Sequence, residues 1–289
     1  KLYLTILAFW VMPALLPAQG LTPKWDELTA SQWEEAMIRS GSTCILPLGI
    51  LEKHGPHLPI GSDIIAARSY ALGAAQKEYA VVFPEFYFGQ IYEAKHLPGT
   101  FALPSDLVWD ILKATLDEIG RNGFKKIVLV NGHGGNNSLL PYLVQTQLES
   151  KKDYVVYLFN PESDPKFNEK VNALRKSDPS YDMHAGEGES SVIMHLRPDL
   201  VRAETADTES GEDQARLGLP GSLYTGIWWY ARFPNHYAGE GSAASAELGK
   251  LIYEHRVEAL AEAIRAVKND VKTPAVQKEY FERVDSLSN

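Results

Sequence analysis

One cysteine in 289 residues rules out an internal disulfide. Cys44 lies within the apolar run Thr43 to Leu48 and reads as a small buried hydrophobe rather than a nucleophile. With thiolates this scarce, a site for a soft metal is not expected. Positive charge is scarce too: 28 Lys and Arg against 37 Asp and Glu leave a net charge of -9 and a pI near 5.4. Nucleic acids and anionic membranes are bound by clustered Lys and Arg, so no nucleic-acid partner is expected and a small molecule is. Interdomain linkers, internal repeats and low-complexity tracts are also missing, and 45% hydrophobic content is ordinary for a packed core. Residues 21–289 therefore read as a single domain.

The first twenty residues stand apart. Lys1 precedes an apolar stretch from Leu2 to Met12, followed by Pro13 to Gly20 with small residues at Ala18 and Gly20. A basic start, a short apolar core and small residues at the end are the layout of a secretory signal peptide. The stretch is short for a membrane span and is broken by two prolines, Pro13 and Pro17. The expectation is a secreted or periplasmic protein starting near Leu21, with no stable membrane association after cleavage. An uncleaved anchor and an ordinary buried helix remain the alternatives.

Apolar periodicity orders the rest. Leu28, Trp33 and Met37 share one face of a short helix closed by Gly41, and a strand follows over 43–48. Asp63 is placed to cap a helix through Ile64, Ala67, Tyr70 and Leu72, before a β-rich run at 79–83. Leu107, Ile111, Leu112, Leu116 and Ile119 mark a third helix. Ile127 to Val130 are four apolar residues without alternation, as in a strand covered on both faces. A helix through Leu139 to Leu148 and a strand over 154–159 come next, while 160–182 reads as a long surface loop and the tail from Lys268 as peripheral. Repeated βα units predict an α/β fold, a three-layer α/β/α arrangement around a mostly parallel sheet.

The chemistry gathers at the ends of these strands. The segment Glu52-Lys53-His54-Gly55-Pro56-His57-Leu58-Pro59-Ile60-Gly61-Ser62-Asp63 follows one strand, and Asn131-Gly132-His133-Gly134-Gly135-Asn136 follows another. Open α/β sheets bind ligands at the carboxyl ends of their strands. Glu52 and His54, one residue apart, point the same way along extended chain, and Asp63 can return to them. With His133 they suit a two-metal site, although singly Asp63 could be a cap and His54 or His57 a loop histidine. A third cluster, Asp182-Met183-His184-Ala185-Gly186-Glu187-Gly188-Glu189, opens a helix and suits a last ligand plus a proton shuttle. His96, in the segment Phe86 to His96, is placed to line a substrate pocket, and Trp228 to Tyr237 form an aromatic patch suited to core, interface or ligand stacking.

Leu46-Pro47-Leu48-Gly49, Glu52-x-His54-Gly55-Pro56-His57-Leu58-Pro59, Asp63 and Asn131-Gly132-His133-Gly134-Gly135-Asn136 together resemble the creatininase (creatinine amidohydrolase) family. The likeness continues through Pro98-Gly99-Thr100, His184-Ala185-Gly186-Glu187-x-Glu189-Ser190 and Gly239 to Gly249, covering about residues 25–260. It implies two divalent cations, Zn and/or Mn, with Glu52 and His133 on one, His54 on the other and Asp63 bridging. It further implies that His184 gives a proton to the leaving nitrogen, that a small-molecule cyclic amide or related C–N bond is hydrolysed, and that the protein is a homo-oligomer, often a hexamer.

Three departures qualify that picture. Creatinine-hydrolysing members follow the Asn-Gly-His turn with an aromatic residue and a metal-binding glutamate, where this chain has Gly134 and Gly135. Glu189 is expected to replace that glutamate, with Glu187 the second choice and otherwise a catalytic carboxylate. A Trp-Asp pair before the proton donor is replaced by Ser180 and Tyr181, so Gly134 and Tyr181 are read as substrate-facing positions and creatinine as an unsuited substrate. Lys53, in place of the more common glutamine, is expected to be structural. The alternatives are a peptide or formamide hydrolase and a non-catalytic secreted metal- or ligand-binding protein on the same fold.

Overall fold

The computed structural model describes residues 20–287. The expected signal segment falls outside them, apart from Gly20. In chain order the elements are α1 (Trp33–Arg39), β1 (Thr43–Leu48), α2 (Ser62–Lys77), β2 (Val81–Val82), α3 (Ser105–Arg121), β3 (Lys126–Asn131) and α4 (Leu139–Gln145). They continue as β4 (Val155–Phe159), α5 (Pro165–Leu174), α6 (Glu187–Leu196), α7 (Trp228–Arg232), α8 (Ala246–Asn269) and α9 (Lys272–Ser286). Among the described residues no helix is long and apolar enough to cross a membrane.

The four strands form one parallel sheet in the order β2-β1-β3-β4. Alternate strand residues serve opposite faces. Cys44, Leu46, Leu48, Ile127 and Leu129 pack on one side against Leu112, Leu116 and Ile119 of α3 and Leu140 and Leu143 of α4. Ile45, Val82, Val128 and Val130 pack on the other against Ala71, Ala74 and Ala75 of α2 and Leu260 and Ile264 of α8. Each fully buried Leu or Ile contributes about 1.5–3 kcal/mol over an exposed one, so helices cover both faces and the molecule is the expected α/β/α sandwich.

Chain order places the site. From β1 the chain crosses outward to β2, then returns past β1 to β3 and continues to β4. The direction of winding therefore reverses between β1 and β3, and the crevice at such a reversal is where open α/β sheets hold ligands. Leu48 and Asn131, the last residues of these two strands, are register partners. The helix α2 begins directly against them, because Gly49 and Gly132 leave room for it. A Cβ on Gly49 would lie 2.5 Å from the Ile64 amide nitrogen, and one on Gly132 would lie 2.6 Å from the Asp63 carbonyl.

Two local readings are corrected and a third stands. Asp63 does not cap α2: the N-cap is Gly61, no side chain caps that end, and the Asp63 carboxylate is left for other partners. The polar stretch 160–182 is not all loop, since Asp164 caps α5 by accepting hydrogen bonds from the amides of Lys166 and Phe167. The charged tail after Lys268 forms α9, whose only buried residue is Phe281, so its peripheral position holds.

Candidate metal centre

Glu52, His54, Asp63 and His133 converge in the crevice between β1 and β3, and all four are buried. Glu52 and His54 come from the loop after β1, Asp63 from the first turn of α2, and His133 from the turn after β3. His133 Nδ1 lies 2.9 Å from Glu52 Oε1 and 3.2 Å from Asp63 Oδ2. His54 Nε2 lies 2.9 Å from Asp63 Oδ1 and 3.8 Å from Glu52 Oε1. Asp63 thus offers one oxygen to each imidazole.

The outward-facing nitrogen of each ring is tied to a backbone carbonyl. His133 Nε2 donates to the Gln90 carbonyl at 2.8 Å, His54 Nδ1 to the Glu52 carbonyl at 3.2 Å, and His184 Nε2 to the Lys53 carbonyl at 2.9 Å. In the neutral ring, donation through one nitrogen leaves a lone pair on the other, and in all three rings that second nitrogen faces the cluster. Metal-ligating histidines are oriented in this way. Meanwhile Glu52 Oε1 and Asp63 Oδ2 are buried with no hydrogen-bond partner. Acceptors facing acceptors in a buried site need a positive charge among them. Carboxylate and imidazole donors without thiolate fit a borderline divalent cation.

Electrostatics agree. Burial works to raise Glu52, but His133 and His184 outweigh it and hold its carboxyl well below the usual range. Burial likewise works to lower His54 and His133, yet Asp63 and Glu52 lift His54 to about 10 and His133 well above the ordinary imidazole value. The pocket is built to hold cationic charge.

His184 joins from the third cluster. Paired backbone hydrogen bonds between His184 and Ala238 (3.0 and 2.9 Å) draw the start of α6 onto the segment before α8. Ala185 and His236 flank that contact with φ of 55° and 53°, a conformation that non-glycine residues adopt only under tertiary constraint. The His184 ring lies 4.4 Å from that of His54. Glu52, His54 and His184 form one group of potential ligands, and Glu52, Asp63 and His133 form another. Glu189 Oε2 lies 3.8 Å from His184 Nδ1 and accepts from the Ala185 amide at 2.6 Å.

Other expected site residues are placed less centrally. Glu187 does not join the cluster: its carboxylate accepts from the Ser177 amide and hydroxyl (both 2.7 Å) and from the Lys176 amide, which anchors the loop after α5. Tyr181 is 56% exposed and its side chain does not line the cavities at the centre. His96 and Gly134 do line the larger cavity, about 1320 Å³, with Trp228, Trp229 and Tyr230 on the same wall. His57 stands outside, paired with the Ser190 hydroxyl at 2.7 Å, and burial pushes it down to about 4, so it is a neutral brace. Lys53 pairs with Glu209, in keeping with a structural role.

The sequence reading missed the importance of His236, which it placed only in an aromatic patch. Trp229 Nε1 donates to His236 Nδ1 at 2.8 Å, which fixes the proton on Nε2, and Nε2 donates to Glu52 Oε2. No spacing rule signals this contact, because 184 residues separate the partners.

A family model described as creatinine amidohydrolase matches residues 26–264. A mycofactocin precursor peptide peptidase of Mycolicibacterium smegmatis is 28% identical over 235 residues, 78% of this chain and 85% of that protein. A creatinine amidohydrolase of Pseudomonas putida is 26% identical over 263 residues, 83% and 95% of the two chains. Among solved structures, a creatininase mutant of Zn-Zn type superposes with a TM-score of 0.71 at 23% identity, covering 86% of this chain and 99% of that one. A structure described as creatininase Mn gives 0.69 at 23% identity, covering 86% and 100%. At that identity the structures show a shared fold.

Proposed function

The chain belongs to the creatininase family, and from that premise we propose that it is a metal-dependent amidohydrolase that cleaves a cyclic amide or related C–N bond in a substrate larger than creatinine. The observation that carries this reading is the buried meeting of imidazole nitrogens with Glu52 Oε1 and Asp63 Oδ2, which have no hydrogen-bond partner. Glu52, Asp63 and His133 would hold one cation, and His54, Asp63 and Glu189 a second. Divalent cations so held, Zn or Mn, polarise a carbonyl and bring the pKa of a water to about neutral.

The remaining roles belong to the chain's own side chains. His184, tied through Nε2, has Nδ1 free to take a proton and return it to the departing nitrogen, and Glu189 lies 3.8 Å from that atom. His236 holds Glu52 through Oε2 and leaves Oε1 turned inward. The wall of Trp228 and Trp229 offers stacking surface that excludes water from a flat or apolar group. A cavity of about 1320 Å³ is ample for ligands well beyond a small lactam. That size also favours a second reading, hydrolysis of a peptide bond, the kind of substrate that the mycobacterial relative's name records.

Metal analysis of protein purified without added metal, paired with an amide screen, tests the proposal. About two cations per chain are expected, with Asp63→Ala losing metal and turnover together. His184→Ala should keep the metal and lose turnover, and Glu189→Ala should fall to about one cation. Normal turnover by the Asp63 variant would sink the scheme.

A further inference from the structure

The centre opens into a second cavity, of about 550 Å³, on the side away from the aromatic wall. Asp63, Asn137, Met183 and Glu189 line both cavities, so the ligand cluster forms the partition between them. His54 faces the smaller chamber, while Glu52 and His133 face the larger. A substrate whose scissile bond lies at the cluster therefore has room for one part on each side.

The smaller chamber mixes apolar side chains (Val130, Leu140, Phe159 and Ile252) with Asn131, Asn137 and Asn160, and carries one permanent positive charge, Arg256 of α8, alongside the carboxylates of Asp63, Asp182 and Glu189. No hydrogen bond or ion pair engages Arg256 among the described residues. The acidic groups facing it from the packed elements are already engaged. Asp182 is held by Arg175 and by the Gly188 amide, Asp63 by the cluster, and Glu189 by the Ala185 amide. Beside Arg256, the Tyr70 hydroxyl also lacks a hydrogen-bond partner among the described residues. Burial raises the Tyr70 pKa to about 12 while the Arg256 charge opposes that rise, so the two groups feel each other and the phenol stays a neutral donor. Arg256 is exposed at the mouth of the chamber, where only water need be displaced for its guanidinium to meet a carboxylate on a ligand.

We propose that the smaller chamber is a carboxylate subsite in which Arg256, with the Tyr70 hydroxyl, binds a single negative charge on the substrate while its aromatic or apolar part lies against Trp228 and Trp229. This rests on the metal-hydrolase reading, since it takes the scissile bond to lie at the cluster. One cation and one hydroxyl match a monoanion; phosphoryl groups are met by several donors or a helix N-terminus. The substrate class is an amide joining an aromatic or apolar group to a short carboxylic acid.

Calorimetry with N-benzoylglycine and N-benzoyl-β-alanine, each against its carboxamide, tests this on the metal-loaded protein. The acids should bind about 10-fold tighter than the amides, the scale of one charge-assisted contact, and the preference should shrink as salt is raised. Arg256→Gln should bring acid and amide to within about 2-fold by the same reasoning, with metal content unchanged, and Arg256→Lys should keep part of the preference. Equal binding of acid and amide by the wild type overturns the proposal. A preference that survives in Arg256→Gln also overturns it, because the carboxylate is then bound at the metal. Elemental analysis of the same samples reports on the centre itself, so a failure of the metal reading and a failure of the Arg256 reading are told apart.

Discussion

Replacing His236 with alanine removes the one hydrogen bond that Glu52 Oε2 receives in a fully buried setting. A hydrogen bond to a charged group contributes about 1.5–3 kcal/mol. If that energy fixes Glu52 for ligation, metal affinity at its site should fall by about 10- to 100-fold, the usual effect of losing a partner that orients a ligand. The two figures agree, since a tenfold change is about 1.4 kcal/mol. Chelator competition with Zn at fixed pH would read the affinity. His236→Gln, which keeps an amide N–H on a side chain of similar reach, should recover much of the loss. Trp229→Phe, which removes the donor to His236 Nδ1 at 2.8 Å and frees the tautomer, should fall between the two. Thermal stability cannot stand in for this assay. His236 has φ of 53°, and any replacement there changes the strain as well as the hydrogen bond. Affinity of the alanine variant within about threefold of wild type would refute the argument, because that is under 1 kcal/mol.

Two adjacent glycines should behave oppositely. Alanine at Gly134 meets nothing within 4 Å and should change stability by no more than about 0.5 kcal/mol. Alanine at Gly135 would put its Cβ 2.3 Å from Gln90 Oε1 and 2.4 Å from His133 Nε2, so it should cost about 1–3 kcal/mol and reduce bound metal, as denaturant unfolding and elemental analysis would show. Metal uptake should release protons, because His54 is raised from 6.5 to about 10 in the metal-free protein and must give up its proton to ligate. The sign for folding follows: the His54 contribution to metal-free stability is fully present below pH 6.5 and is lost as pH rises toward about 10. The metal-free protein should therefore lose stability between about pH 7 and 9.5 relative to the metal-loaded one, while Zn affinity rises over the same range. Calorimetry in buffers of different ionisation enthalpy would count the protons, and a release of none would contradict the assignment.

Much of this was written in the chain. Uninterrupted apolar runs at 43–48 and 126–130 identified the central strands, because a strand covered on both faces has no polar alternation to display. Motifs after those strands marked Glu52, His54, Asp63 and His133, and all four meet. Glycines at 49 and 132 stood in the same motifs, where small size is what the approach of α2 demands. Short-range pattern was enough wherever function depends on neighbours in sequence.

It failed where partners are remote. Glu187 and Glu189 are two residues apart with similar chemistry, and only the fold turns Glu187 onto the Ser177 loop and leaves Glu189 beside His184. Tyr181 sits next to the third motif yet points to solvent. His236 reaches Glu52 and Arg256 reaches the second chamber through chain reversals that no periodicity records. Local sequence determined the strands, their turns and the ligand types, since these depend on residues a few positions apart. Tertiary structure decided which acidic groups face the centre, what fixes them and which charge remains unpaired, since burial and distance exist only once the chain has packed.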